Sequence, residues 1–382
     1  MSRLYFILAL LHGYVAWRLL PALGAGSAAG MGLIAWLVVS VAVMPLGFSA
    51  RRLANRRAGD VATWIGMLAA GAFSSLLVLT VARDVIVLVA HAVAATVDAS
   101  SINVATLSHW VQASAVWVPV AAMLVSVVGI VNARLRAAIR RVDVPIAGLP
   151  ASLDGFTIAQ ISDVHVGPTI KRRYLEAIVD AVNALGADMI AVTGDLVDGT
   201  VEHLSEHTQP LSRLSARHGA YFVTGNHEYY SGAKAWIAEI RRLGLRVLQN
   251  EHVVLDHDGE CVVVGGVTDF GAHHYDPAQR SDPVAALKGA PRDAPVKLLL
   301  AHQPRSAFAA MPAGFDLQLS GHTHGGQFLP WNFFVRLQQP FTAGLHRLGS
   351  LWIYISRGTG YWGPPMRFGA PSEITALRLV AA

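Results

Sequence analysis

Beyond residue 150, five short apolar runs each end at once in aspartate, asparagine or histidine. Ile161-Ser162 leads into Asp163-Val164-His165. Val192-Thr193 leads into Gly194-Asp195, with Asp198 three residues on. Val223-Thr224 leads into Gly225-Asn226-His227-Glu228, Leu300-Ala301 into His302, and Leu319-Ser320 into Gly321-His322-Thr323-His324. One histidine after a strand is ordinary, and a Gly-Asp pair there is more often a turn or a helix cap than a site. Five such endings in one domain are different, because a sheet gathers the ends of its strands on one side. Carboxylate, amide oxygen and imidazole without thiolate suit Mn, Fe or Zn in a reactive centre better than a structural zinc–cysteine site. Asp163, His165, Asp195, Asn226, His302, His322 and His324 are more donors than one ion with an open position can use. Two divalent ions about 3.5–4 Å apart, bridged by one carboxylate, would use them all. Residues two apart on an extended backbone point the same way. The pairs Asp163/His165 and His322/His324 are therefore each expected to aim at one ion or at adjacent ions. The glycines before Asp195, Asn226 and His322 leave room for a sharp turn and for the ions.

The elements that must carry these residues can be read from the apolar pattern. Strands are expected at 156–161, 189–193, 221–223, 262–267, 296–301, 317–320, 352–356 and 373–380, and amphipathic helices at 171–185, 204–217 and 233–243. Strands alternate with helices early and crowd together late. That order fits an α/β domain with one mixed sheet, or two sheets packed face to face between helices.

The first third of the chain has another character. The whole sequence of 382 residues is 53% hydrophobic and 14% charged, against about a quarter charged in ordinary soluble domains. Apolar stretches at 4–23, 31–50, 62–82 and 111–130 are each long enough to cross a bilayer, which takes about 20 helical residues. The first is too long for a cleaved signal peptide, contains Arg18, and is followed at once by further spans. Arg18 is costly in a membrane unless it snorkels or faces the bundle, and near the end of its span it can snorkel. Residues 85–97 resume the apolar pattern after Arg83-Asp84 and read as a long helix that emerges from the bilayer or as an interfacial segment. Arg51, Arg52, Arg56 and Arg57 follow the second span; Arg134, Arg136, Arg140 and Arg141 follow the fourth. The remaining connections hold only Arg83, Asp84 and Asp98. Positive-inside bias then predicts four spans with both termini in the cytoplasm, whereas five would put one arginine cluster on the wrong side. The expected organisation is a transmembrane helical region over 1–133, a basic linker over 134–149 and a catalytic domain over 150–382. The single cysteine, Cys261, excludes an intramolecular disulfide.

Asp-x-His, Gly-Asp-x-x-Asp, Gly-Asn-His-Glu, a lone histidine and Gly-His-x-His, in that order, resemble the calcineurin-like metallophosphoesterase superfamily over about residues 150–380. Gly-His-Thr-His-Gly-Gly-Gln at 321–327 is similar to its bacterial membrane-associated phosphodiesterase branch. The resemblance implies a four-layer αββα sandwich with the site at the strand ends, here preceded by an all-α transmembrane bundle. It further implies that Asp163, His165, Asp195 and His324 hold one ion and that Asp195, Asn226, His302 and His322 hold the other, with Asp195 shared. No ligand position departs from the pattern.

Two such ions bind phosphoryl oxygens, turn water into the attacking hydroxide and neutralise charge in an in-line displacement. His227, one residue past Asn226, is assigned to phosphate contact or to protonation of the leaving oxygen. Asp198 is expected to orient His227 or a ligand histidine, or else to cap a helix. Glu228 reads as a supporting group. Trp331, Phe333 and Phe334, with the Gly- and Pro-rich loop 357–367 that carries Arg357 and Arg367, read either as core and ordinary loop or as an apolar entrance with arginine near phosphate. With four spans and a pI of about 9.5, the second reading favours a lipid or other membrane-borne phosphoester. The expected protein is thus an integral membrane phosphodiesterase of a bacterial-type inner membrane, its catalytic domain cytoplasmic. Its rivals are a nucleotide phosphodiesterase, a binding or sensing module with an inactive domain, and a small transporter. No nucleic-acid partner is expected, because no basic stripe is interleaved with stacking aromatics. The transporter fits poorly, since the spans hold few ionisable residues besides His12 and Arg18.

Overall fold

Helix α1 (Ser2–Leu23), α2 (Ala28–Val43), α3 (Leu46–Ser49), α4 (Arg56–Thr96) and α5 (Val104–Arg134) make up nearly all of the first third of the chain. The computed structural model describes residues 2–50, 55–96 and 104–382. Arg51, Arg52 and Asp98, used above to orient the spans, lie outside them. Four helical stretches are long and apolar enough to cross a membrane: Arg3–Leu23, Ala28–Ser49, Arg56–Thr96 and Ser108–Arg134. The break between α2 and α3 falls at Met44-Pro45, where proline cannot donate its amide to the helix. The third apolar stretch and residues 85–96 form one uninterrupted helix of 41 residues, about 60 Å long at 1.5 Å per residue.

Residues 1–131, with 363–366, form one compact unit. Several of its polar residues pair with one another. Asp84 receives Arg18 through Nε at 2.6 Å and Nη2 at 3.0 Å, the Tyr14 hydroxyl at 2.6 Å, and Arg83 Nη1 at 2.9 Å. Arg83 also donates to Ser114 Oγ at 3.0 Å and to the Val111 carbonyl at 2.7 Å. Arg18 is thus satisfied by an acidic partner on α4, 66 residues away in the chain. His12 is stacked on Phe73 at 3.6 Å and lies 2.7 Å from Ser40 Oγ.

The second unit comprises residues 132–362 and 367–382 and is built on two six-stranded sheets. The first holds β1 (Ala138–Ile146), β2 (Thr157–Ile161), β3 (Met189–Val192), β4 (Ala220–Phe222), β5 (Arg246–Val247) and β12 (Glu373–Ala381), in the order β1-β12-β2-β3-β4-β5. The second holds β6 (Glu251–His257), β7 (Glu260–Gly266), β8 (Val296–Leu300), β9 (Leu317–Ser320), β10 (Gly344–Leu348) and β11 (Leu351–Ile355), in the order β10-β11-β9-β8-β7-β6. Between the sheets lie Ile158, Met189, Tyr221 and Leu377 from one and Val262, Leu298, Leu319 and Tyr354 from the other. The outer face of the first sheet is covered by α6 (Arg172–Asn183), α7 (Val201–Thr208) and α9 (Ala233–Arg242). These contribute Leu175, Ile178, Val179 and Val182, then Leu204, then Trp236 and Ile240. The outer face of the second is covered by α10 (Pro283–Ala286) and α11 (Ala307–Ala313) through Ala286, Ala307 and Ala310. The four layers are thus helix, sheet, sheet, helix. Each fully buried Val, Leu or Ile in these interfaces stabilises the fold by roughly 1.5–3 kcal/mol.

Two expectations are corrected. Ala138–Ile146, read as part of a basic linker, is a strand in register with β12 over nine residues, from Ala138 opposite Glu373 to Ile146 opposite Ala381. Its outer half is exposed, which hides the burial period. The helix expected over 204–217 is shorter and earlier: α7 stops at Thr208 and Gln209–Arg213 is a 3-10 turn, because Pro210 has no amide hydrogen to continue an α-helix.

Candidate metal centre

Strands β2, β3 and β4 are parallel neighbours in one sheet, and β8 and β9 in the other. All five carboxyl ends therefore open onto one edge of the sandwich, and the residues just past them meet there. Asp163, His165 and His324 converge, as do Asp195, His302 and His322; within each trio one ligand atom per residue lies within 4.8 Å of the others. Asp195 Oδ2 lies between the trios, 3.1 Å from His302 Nε2 and 4.0 Å from His165 Nε2. The Asn226 side chain hydrogen-bonds the Tyr230 hydroxyl, and its Oδ1 is buried without a partner.

Alternation along a strand does not bring these residues together. Asp163, His165, Asp195, His322 and His324 all have φ between +51° and +71°, a region that costs a side-chain-bearing residue about 1–3 kcal/mol and clusters at functional sites. The pairs are folded into left-handed turns, not extended. As a result His322 and His324 diverge into different trios, while Asp163 and His165 share one. Interlocked backbone holds the turns: the Asp163 amide donates to the Gly194 carbonyl and the His165 amide to the Asp195 carbonyl. Asp163 in turn accepts from the His322 amide at 3.0 and 3.1 Å. A Cβ on Gly225 would overlap the Asp195 carboxylate, and one on Gly321 the Asp163 carboxylate. Only glycine admits this close an approach.

The histidine tautomers follow from their outer partners. His302 Nδ1 donates to the Thr193 carbonyl at 2.7 Å, leaving Nε2 to face the centre. Asp198 Oδ1 lies 2.5 Å from His227 Nδ1 and 3.3 Å from His165 Nδ1. Asp198 thus fixes the His227 ring with its Nε2 facing inward, and stands beside His165 Nδ1, which is buried without a hydrogen-bond partner. His165 Nε2 then meets His324 Nε2 at 3.0 Å, and His302 Nε2 meets His322 Nδ1 at 3.2 Å. Glu228, fully buried at the start of α8 (Asn226–Ser231), accepts the amides of Gly225, Asp195 and Leu196 at 2.7–3.0 Å and so braces two of the turns.

The electrostatics show the same demand for positive charge. Burial raises the Asp163 carboxyl above its usual range against the pull of His302. Burial and the neighbouring Asp195 push Glu228 up to about 8. Burial opposes the charged forms of Asp195 and His302, but their mutual attraction wins and holds Asp195 well below, and His302 well above, their ordinary values. Burial and then His302 lower His322 to about 3. Burial disfavours the His227 cation, yet Asp195 and Asp198 outweigh it and raise the ring to about 9. A proton on His302 supplies the charge Asp195 requires, and a divalent cation bound there would displace it.

His227 Nε2 lies 4.0 Å from Asp195 Oδ2, at the open side of the cluster between Tyr230 and Trp362, whose rings lie 5.1 and 5.7 Å away. Arg357 lies 3.6 Å from Glu373 and is 30% exposed; its stem passes over Gly325 in the ligand turn. Arg367, read above as a candidate phosphate contact, is instead fully buried. It donates to the carbonyls of His324, Arg357, Gly360 and Ala370, and its Nη2 sits 3.1 Å from His324 Nδ1. A guanidinium this occupied braces the turn and does not face an entrance. Three further residues carry little sequence signal. Tyr230 could have been found as the residue one helical turn past Asn226. Asp269 and Gln303 are buried and joined at 3.0 Å beside His302, and nothing in their spacing marks them.

The calcineurin-like phosphoesterase family model matches residues 156–326. The transmembrane protein with metallophosphoesterase domain of Bos taurus is 41% identical over 271 residues, 68% of this chain and 61% of that protein. Uncharacterized metallophosphoesterases of Aquifex aeolicus and Bacillus subtilis are 33% and 31% identical, over 58% and 60% of this chain and 84% and 81% of their own lengths. The chain thus spans about 61% of the Bos taurus relative but more than four-fifths of the two bacterial ones. On this evidence the chain belongs to the calcineurin-like metallophosphoesterase family.

Proposed function

We propose that this protein is a membrane-anchored phosphodiesterase with a two-ion centre and its catalytic domain on the cytoplasmic side. The observation that carries the reading is the convergence of five left-handed ligand residues, Asp195 at their centre, with the orphaned Asn226 Oδ1 beside them. Asp163, His165, Asp195 and His324 would hold one Mn, Fe or Zn ion, and Asp195, Asn226, His302 and His322 the other. Bound there, the ions would polarise the phosphoryl group and lower the pKa of water to make the nucleophile at neutral pH.

The chain's own groups do the rest. His302 is held in the ligating tautomer by the Thr193 carbonyl. His227, with Nδ1 fixed on Asp198, keeps Nε2 toward the open side, where it contacts phosphate or passes its proton to the leaving oxygen. Arg357 is the cation near the ligand turn that can reach a phosphoryl oxygen. The orientation rests on the arginines after the second and fourth helical stretches. A lipid or other membrane-borne phosphoester is the substrate class that the four apolar helices favour.

Purified full-length protein is expected to hydrolyse a generic aryl phosphodiester only after Mn²⁺ or a similar ion is added, and to lose the activity in chelator. Metal-independent hydrolysis by the same preparation would overturn the two-ion scheme, and no hydrolysis with any of the three metals would overturn the enzymatic reading.

A further inference from the structure

The surface of the catalytic unit carries an apolar patch beside the ligand turn, on residues 329–337. Leu329, Trp331, Phe333, Phe334 and Leu337 are 42%, 42%, 70%, 53% and 81% exposed. The short helix α12 (Trp331–Phe334) turns only its fourth side inward: a Cβ on Gly326 would overlap Asn332, so Asn332 is seated directly on the turn that carries His324. Five large apolar side chains within nine residues are costly in water and in soluble proteins mark a contact surface.

We propose that this segment dips into the headgroup–acyl boundary of an anionic bilayer. Three observations select that occupant. Trp and Phe at a surface, with a flanking arginine, are the composition of a membrane interface, where an apolar ring sits under the headgroups. The charge is complementary: between Asp316 and Glu373 the chain has no acidic residue, Arg336 and Arg347 are exposed there, and Arg305 donates to the Gln338 carbonyl at the patch edge. Among the described residues, four helices are also long and apolar enough to cross a membrane. On the reading that they do so, the patch is tethered beside lipid, and weak contacts suffice. A second copy of the chain is a poorer occupant, since stable dimers use about 20–30 residues a side and this patch offers five.

The consequence deepens the proposed function. Because Asn332 packs on the ligand turn, bilayer contact by α12 would bring the metal centre to the headgroup layer, where the phosphoester of a lipid lies. The inference rests on that reading only for this consequence.

The test uses the full-length chain with Cys261→Ser as background, Phe333→Cys labelled with an environment-sensitive fluorophore, and one chain per nanodisc containing about one-third phosphatidylserine. Asp293→Cys, on an exposed polar loop, serves as the control position. Lipids spin-labelled near the headgroup are expected to quench the Phe333→Cys probe at least twofold and aqueous iodide to leave it nearly unquenched, with the reverse at Asp293→Cys. Quenching by iodide and not by lipid would overturn the proposal. So would protection from both, which would mean that protein covers the patch. The Phe333→Asp/Phe334→Asp variant should keep its rate on a soluble aryl phosphodiester within twofold and lose at least tenfold on a fluorogenic phosphodiester carried by a diacyl lipid in vesicles. Equal rates on the vesicle substrate would overturn the link to catalysis. Loss of the soluble activity in the parent protein would count against the phosphodiesterase reading alone.

Discussion

The metal centre and the Tyr14–Arg18–Arg83–Asp84 network both take ionisable side chains out of water, and they satisfy them differently. In the helical unit the charges complete one another. Asp84 accepts from two arginines and a tyrosine, and the rest of the Arg83 fork is taken by Ser114 and the Val111 carbonyl. In the catalytic unit the groups converge without completing one another. Imidazole nitrogens face each other at 3.0 and 3.2 Å, Asn226 Oδ1 has no partner, and five of the converging residues sit in strained backbone. A buried polar cluster that closes on itself has an architectural role; one that leaves acceptors facing a shared point is built for a cation from outside. Hydrogen-bond completeness separates the two cases.

The contrast is broken most severely at Asp195. Asp195→Asn keeps the shape but removes the charge that both trios share, so kcat on an aryl phosphodiester should fall by about 10³-fold or more. Bound metal, measured by mass spectrometry, should drop below two ions per chain while the far-UV circular dichroism stays unchanged. Two bound ions and full activity in that variant would show that the cluster does not depend on its central carboxylate. Next in size is the effect of metal itself. Each ion at 100 times its dissociation constant should stabilise the catalytic unit by about 2.7 kcal/mol, raise its thermal midpoint and release protons on binding. Asp84→Asn should instead act on stability alone. It strands two arginines in the helical unit and should cost about 2 kcal/mol of stability in detergent, while the metal content and kcat of the protein stay unchanged. A variant as stable as the parent would mean that the network only fills space.

How much of this could be read in advance depends on whether a signal is local. The apolar runs that become β2, β3, β4, β8 and β9 are each bounded by polar residues, so both the strands and the donors at their ends are visible in the sequence. Strand β1 is not, because Ala138–Arg141 is exposed and arginine-rich and looks like a tether. The hairpin of β6 and β7 carries a local mark, Asp258-Gly259 with both residues at positive φ, the preferred two-residue hairpin turn. Polar alternation in β6 hid it. The convergence of Asp163, His165, Asp195, His322 and His324 was legible, but its cause was not, since Asp and His adopt left-handed backbone more often than most residues yet do so in only a minority of cases. Arg18 and Asp84, and likewise Arg367 and the carbonyls around it, meet through tertiary structure alone. A charged residue next to a motif can be read as facing either a substrate or the fold, and only the count of its partners decides.

The finest distinction is between holding a ring and filling a gap, and Asp198 is where it can be drawn. Asp198 faces His227 and His165 at once, and burial opposes the charge that the two rings keep on it, holding its carboxyl far below the usual range. Asp198→Asn retains one acceptor of similar size but removes that charge, so a purely space-filling residue would tolerate the change. If the carboxylate orients His227 as a proton donor, kcat should fall about tenfold, the lower end of the range for outer partners of ligating groups. The loss should be larger on alkyl phosphodiesters, whose leaving oxygen needs a proton, than on nitrophenyl diesters, whose leaving group does not. An equal loss on both substrates with lowered metal content would instead place the role of Asp198 on His165. An unchanged rate on both would put Asp198 with the Asp84 network, as a group whose partners serve only the fold.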